Sequence, residues 1–129
     1  AAGVHVGQND LSVDQARSIA GPAAIIGLST HTLKQLDKAW ACRVSYAAVG
    51  PVCETKTKKT GYSAIGPEFV LAAASRHPKL PIVGIGGVTL DRASNIIESG
   101  ARSVAVVGDL VCHGDPISRV RSYVDALEK

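Results

Sequence analysis

The chain has 129 residues, 46% of them hydrophobic and 19% charged, with a formal net charge of +3. That is enough for one domain with a real core. It excludes a membrane span, which needs roughly 18 consecutive apolar residues, and a nucleic-acid face, because Lys and Arg are scattered except around Lys56–Lys59.

In chain order, Val4–Val6 reads as a first strand, followed by Gly7-Gln8-Asn9-Asp10 and the capping box Ser12-x-x-Gln15. Ala24–Leu28 is a second strand. After it, Thr32-x-x-Gln35 opens a helix whose apolar stripe is Leu33, Leu36 and Trp40. Val44–Val49 and Pro81–Ile85 are further strands, and Asp91 is the expected cap of a helix ending near Ser99-Gly100, with Gly100 suited to the left-handed position. Val104–Val107 is the last strand. Asp115-Pro116 then caps a helix with the stripe Ile117, Val120, Val124 and Leu127. Each strand is apolar nearly throughout, as parallel strands buried on both faces are.

The pattern predicts an α/β fold of about five βα units in a single domain over residues 1–129. A complete (β/α)8 TIM barrel takes about 250 residues, roughly 200 at least. The chain is therefore either an open α/β sheet or a barrel portion lacking some three N-terminal units. Composition does not choose between them. It opens Ala1-Ala2-Gly3 without an initiator Met, as a processed or truncated chain does. Cys42, Cys53 and Cys112 form neither a disulfide framework nor a zinc spacing, so a reducing compartment is expected, cytoplasmic or an organellar stroma or matrix.

One connection, Gly50 to Gly66, is far longer than the about 2–6 residues usual for a βα loop. It follows a strand and carries Thr55-Lys56-Thr57-Lys58-Lys59, where hydroxyls and ammonium groups can surround a phosphate. A solvated basic loop is the bland alternative; the position at a strand's carboxyl end favours phosphate. Gly84-Ile85-Gly86-Gly87 and Val107-Gly108 are glycine-bearing strand ends that can offer backbone N–H groups to an anion, or can simply be tight turns. Thr89 occupies the last glycine position of G-x-G-x-x-G, which argues against a dinucleotide site. Asp10, with Gln8 and Asn9, can either contribute to Mg²⁺ binding or shape a turn.

Ser29-Thr30-His31-Thr32 follows the second strand, and only Thr32 has an evident structural task there. His5, inside a strand, is expected to be a hydrogen-bonded core histidine; His77 and His113 are given no role. The sequence contains no nucleophile elbow and no H-E-x-x-H, and Cys53 has no adjacent histidine to activate it.

Taken together and in order, G-V-H-V-G-Q-N-D, G-L-S-T-H-T, V-G-P-V-C-E-T-K-T-K-K, V-G-I-G-G-V and V-A-V-V-G-D-L resemble the thiamine-phosphate synthase family, at the ends of its fourth to eighth barrel strands. The resemblance implies coupling of hydroxymethylpyrimidine diphosphate to hydroxyethylthiazole phosphate, with loss of pyrophosphate by a dissociative route in the presence of Mg²⁺. It further implies that Asp10 helps to hold Mg²⁺ and that Ser29 and Lys58 contact the pyrophosphate. Thr55, Thr57, Gly87, Val107 and Gly108 would hold the thiazole phosphate. Gly108 departs from the family's usual Ser, which removes a hydroxyl and keeps a backbone N–H. The family's Gln-, Arg- and Lys-bearing strand and its Asn-Asp pair have no counterpart in this sequence, so the chain alone is expected not to catalyse the coupling.

Two other readings remain. The related thiazole tautomerase places a histidine where His31 stands, although its loop departs from T-x-T-K. A non-catalytic phosphate-binding fragment would need a second chain or a missing N-terminal segment to complete its barrel, because raw sheet edges attract partners.

Overall fold

Every strand pair is parallel, and the strands lie in the sheet in the order they occur in the chain. The computed structural model describes residues 1–55 and 61–128. Its five strands are β1 (Gly3–Val6), β2 (Ile25–Thr30), β3 (Tyr46–Val49), β4 (Ile82–Ile85) and β5 (Ser103–Ala105), in sheet order β1-β2-β3-β4-β5. The helices between and after them are α1 (Val13–Ala20), α2 (Leu33–Ala41), α3 (Gly66–Arg76), α4 (Leu90–Glu98), α5 (Gly108–Val111) and α6 (Pro116–Leu127).

This order has no reversal, so it lacks the switch point of a doubly wound sheet. Crossovers that always step the same way along the sheet, with the usual single hand, carry the helices over one face. Alternation along the strands agrees. Ile26, Leu28, Thr30, Ala47, Val49 and Ile82 are buried in the core with Leu36, Val70 and Ile96 of the helices. The intervening His5, Ile25, Ser29, Tyr46, Val83 and Ile85 remain partly or fully open.

Local chemistry explains the helix ends. Ser12 forms the expected reciprocal capping box with Gln15, and Asp115 accepts from the N–H groups of Ile117 and Ser118 ahead of Pro116. Gly100, at φ +106°, closes α4 in a Schellman pattern: its N–H reaches the Ile97 carbonyl at 2.8 Å and that of Ala101 reaches Ile96 at 3.3 Å. The second capping box is only half formed. Thr32 accepts from the Gln35 N–H, but the Gln35 side chain accepts from His31 instead of Thr32.

Four further expectations are corrected. Thr89, not Asp91, is the N-cap of α4, and Asp91 lies in the first turn, where a carboxylate favours the helix dipole. β2 runs to Thr30, so Ser29 is a strand residue and the buried Thr30 hydroxyl donates to the Ala48 carbonyl. Trp40 is exposed, because Ala39 takes the core position and the indole lies on the flank, stacked on His77. On α6 the buried residue is Tyr123, while Ile117, Val120 and Val124 are exposed. Val120, Val124 and Leu127 line an open groove of about 410 Å³ beside β5, which pairs with β4 alone among the described strands.

Candidate functional site

Parallel strands in one sheet bring all their carboxyl ends to the same rim, and the residues singled out in the sequence collect there. Gly7, Thr30, Gly50 and Gly86 directly follow or close β1, β2, β3 and β4, and Val107 follows β5 by a short step.

The long connection does run from β3 to α3, and its first part is fastened to the end of β4. Val52 N–H donates to the Ile85 carbonyl at 2.9 Å and Cys53 N–H to the Gly86 carbonyl at 3.0 Å. Its far end is tied back on itself, Ile65 N–H to Pro51 and Gly66 N–H to Val52. Gly87 sits at φ +63°, where a Cβ would come 2.3 Å from the Glu54 carbonyl oxygen and 2.7 Å from that of Cys53. A side chain there would collide with backbone. The glycines therefore let the backbone of Pro51, Cys53 and Glu54 close onto the end of β4, and Thr55, half-buried, follows directly. Gly84 has a different task, since a Cβ there would lie 2.5 Å from Ile96 of α4. Thr57 and Lys58 lie outside the described residues.

At β2 and β3, His31 joins its Nδ1 to the Gly50 carbonyl and stacks on Tyr62 with ring centroids 3.8 Å apart. A proton on Nδ1 is required for that contact, because a carbonyl can only accept. His31 thus has a structural task in holding the two ends of the loop to β2.

Asp10 uses one carboxylate oxygen to accept from Gly7 N–H at 2.7 Å, the turn-shaping role. It is exposed at the rim. Among the described residues there is no group of three His, Cys, Asp or Glu able to hold a metal. Asp10 can therefore supply a single hard ligand, which suits Mg²⁺ only as an ion that keeps its waters and substrate phosphate oxygens.

His5 is hydrogen-bonded, as expected, but is exposed on the open face of the sheet. Its Nε2 lies 2.8 Å from Ser29 Oγ and its Nδ1 3.0 Å from Tyr46 Oη. The phenol had no place in the sequence reading; its partner is visible only once the strand register is known.

A second network was missed entirely. Val107 is the N-cap of the short helix α5, and Asp109 behind it is buried. Arg119 donates to both Asp109 oxygens, at 2.9 and 3.1 Å, and the Tyr123 hydroxyl donates at 2.6 Å. Burial pushes the Asp109 carboxyl up, but the hydrogen bonds from Tyr123 and Arg119 outweigh it and hold the group below its ordinary value. Burial, helped by the same carboxylate, pushes the Tyr123 phenol well above its usual range. This ion pair ties α5, which begins at Gly108, to α6. The available signal was Arg119 and Tyr123 at i and i+4, one face of a helix, following a carboxylate at a strand end.

The family model for thiamine monophosphate synthase matches residues 1–110. The chain belongs to the thiamine monophosphate synthase family. A thiamine-phosphate synthase of Koribacter versatilis is 40% identical over 125 residues, which is 97% of this chain and 58% of that protein. One from a Synechococcus strain is 39% identical over 97% of this chain and 35% of its own length. Among solved structures, a thiamine phosphate pyrophosphorylase of Pyrococcus furiosus superposes with TM-score 0.88 at 27% identity, covering 99% of this chain and 60% of that one. The chain thus spans about 58% of the Koribacter relative. Among the described residues no helix is long and apolar enough to cross a membrane.

Proposed function

We propose that this chain carries the phosphate-handling part of a thiamine-phosphate synthase, within a (β/α)8 barrel of which it forms five C-terminal βα units. The observation that carries the reading is the family match over residues 1–110, joined to the fastening of Pro51, Cys53 and Glu54, just before Thr55, onto Gly86 and Gly87. A sheet in strict chain order with one face left open supports the barrel.

The reaction joins hydroxymethylpyrimidine diphosphate to hydroxyethylthiazole phosphate and releases pyrophosphate. Charge builds on the leaving diphosphate, so the site needs fixed donors and cations aimed at it more than an acid–base pair. Ser29 and Lys58 act on that group. Thr55, Thr57, Gly87, Val107 and Gly108 hold the thiazole phosphate, with hydroxyls from the loop and backbone N–H groups from the two strand ends. Gly108 contributes its N–H alone. Asp10 gives one oxygen ligand to Mg²⁺, which when bound neutralises charge on the departing diphosphate.

The partners are small phosphorylated molecules, with neither nucleic acid nor membrane involved, and a cytoplasmic location fits the three free cysteines. The pyrimidine side of the site is supplied by further βα units, either on a longer polypeptide or on a partner chain. The thiazole tautomerase reading is weaker, since the relatives are named as synthases and His31 is committed to the Gly50 carbonyl.

The test supplies the missing units. Purified chain with both substrates and Mg²⁺ is expected to give no thiamine phosphate. Fused behind the N-terminal units of the Koribacter versatilis synthase, it is expected to give product. A folded fusion that binds neither substrate would overturn the reading, and isomerisation of the thiazole without coupling would favour the tautomerase.

A further inference from the structure

His5, Gly27 and Tyr46 form one row across three adjacent strands, through the register His5 to Gly27 and Gly27 to Tyr46. A Cβ at Gly27 would lie 2.2 Å from Tyr46 Cζ and 2.6 Å from His5 Nδ1. This glycine is in no turn; it is the gap across which imidazole and phenol meet. The rings are stacked at 25°, with centroids 5.6 Å apart. Ser29, two residues beyond Gly27 on the same face, meets the other ring nitrogen, and its own carbonyl accepts from Gln8 Nε2 at 2.6 Å.

Both nitrogens of His5 are therefore engaged by hydroxyls. Although His5 is exposed on the sheet's open face, partial desolvation of its ring lowers the imidazole from its ordinary range, against the opposing pull of Asp10, which favours the neutral ring at pH 7. A neutral ring has one donor and one acceptor, which leaves two directions for the chain of three groups. In one, the Ser29 O–H donates to Nε2, Nδ1–H donates to the Tyr46 oxygen, and Ser29 turns only lone pairs outward. In the other, the Tyr46 O–H donates to Nδ1, Nε2–H donates to Ser29 Oγ, and the serine O–H is free to donate outward. A phenol is a far stronger acid than an alkyl hydroxyl and a poorer acceptor, which favours the second direction. An anion at Ser29 favours it again, because lone pairs facing a diphosphate would repel it.

We infer that His5, held by Tyr46 and carrying its proton on Nε2, is a positioning residue that makes the Ser29 hydroxyl a hydrogen-bond donor to a bound diphosphate. The inference rests on the reading of Ser29 as the leaving-group contact. No proton has to leave the network for this to work; the serine is set in advance as a donor, so nothing need reorient as charge develops.

The test uses the ¹⁵N-labelled chain, with ring-nitrogen spectra of its histidines and calorimetric titration with inorganic pyrophosphate. The unsubstituted chain is expected to show His5 as the Nε2–H tautomer, and Tyr46→Phe to convert it to a mixture. Pyrophosphate affinity is expected to fall about tenfold in Ser29→Ala and about as much in His5→Leu. The double variant should lose no more, and His5→Gln, whose amide donates from a similar place, should recover most of the loss. A proton on Nδ1 in the unsubstituted chain overturns the inference, and that measurement needs no variant to fold. Affinity that falls in Ser29→Ala but not in His5→Leu overturns it while sparing the role of Ser29. No pyrophosphate binding at all, or no effect of Ser29→Ala, overturns both.

Discussion

Replacing Asp109 by Ala should be among the most damaging single changes in the described part of this chain. The carboxylate side chain is 2% exposed and accepts two hydrogen bonds from Arg119 and one from Tyr123. Removing it strands a guanidinium and a buried phenol, and breaking one side of a buried ion pair costs about 3–5 kcal/mol. Arg119 is 27% exposed and can recover some hydration, which places the expected loss near the lower end, about 3 kcal/mol. Tyr123→Phe removes a single bond to the charged group and should cost about 1.5–3 kcal/mol. In urea melts followed by far-UV circular dichroism, with a slope of about 2 kcal/mol per M, Asp109→Ala then moves the midpoint down by about 1.5 M. A double-mutant cycle of Asp109→Asn with Tyr123→Phe should show coupling of about 0.5–3 kcal/mol. A midpoint shift below about 0.5 M at unchanged slope would refute the reasoning, because no buried and mutually dependent network could be lost so cheaply.

Gly87→Ala should lower Tm by about 6 °C or more, since it adds a backbone collision to a left-handed strain of about 1–2 kcal/mol. Gly21→Ala, at φ +98° and ψ +162° with nothing within 4 Å of the added carbon, should show the strain of that glycine-only backbone conformation without any collision. Because the His5 imidazole is held low in the folded state, the unfolded chain takes up a proton near pH 6.5 that the folded chain does not. Stability is then full above that pH and declines as the pH falls toward the folded value; urea melts at pH 7.5 and 5.5 should differ by less in His5→Leu than in the unsubstituted chain. In the completed fusion, Lys58→Ala should reduce the coupling rate about a hundredfold, with Lys58→Arg keeping part of it; steady-state kinetics would check this, and an unchanged rate would remove Lys58 from the site.

The alternation of β-branched runs with capped helices is enough to place five strands and the starts of α1, α2 and α6, because those signals are local. Ser12, Asp115 and Gly100 act within a turn of their own position, and each does what the sequence implies. Local pattern is insufficient where a residue's task depends on something distant. Trp40 fits an apolar stripe by spacing, but only the placement of α2 decides that Ala39 faces the core and the indole meets His77. The α6 stripe is a true amphipathic pattern whose outer part lines an open groove beside β5, so spacing alone could not say which of its members would be covered.

The site divides in the same way. Glycines at strand ends could be flagged, but their reason could not, since a turn, an anion and a neighbouring backbone all ask for the same residue. The structure separates them: Gly84 makes room for α4, Gly87 for the backbone of Cys53 and Glu54, and Gly27 for a contact between two side chains from the flanking strands. Gly27 is the most instructive of these. It has no turn and no positive φ, and although it opens the G-L-S-T-H-T stretch, in the sequence it merely weakens a strand. Parallel pairing in register puts it between a histidine and a tyrosine 41 residues apart, and the absence of its side chain lets their hydrogen bond form beside Ser29. A residue chosen for what it leaves out is legible only from its neighbours, so substituting Ala at Gly27 should break the His5–Tyr46 contact as surely as removing either partner.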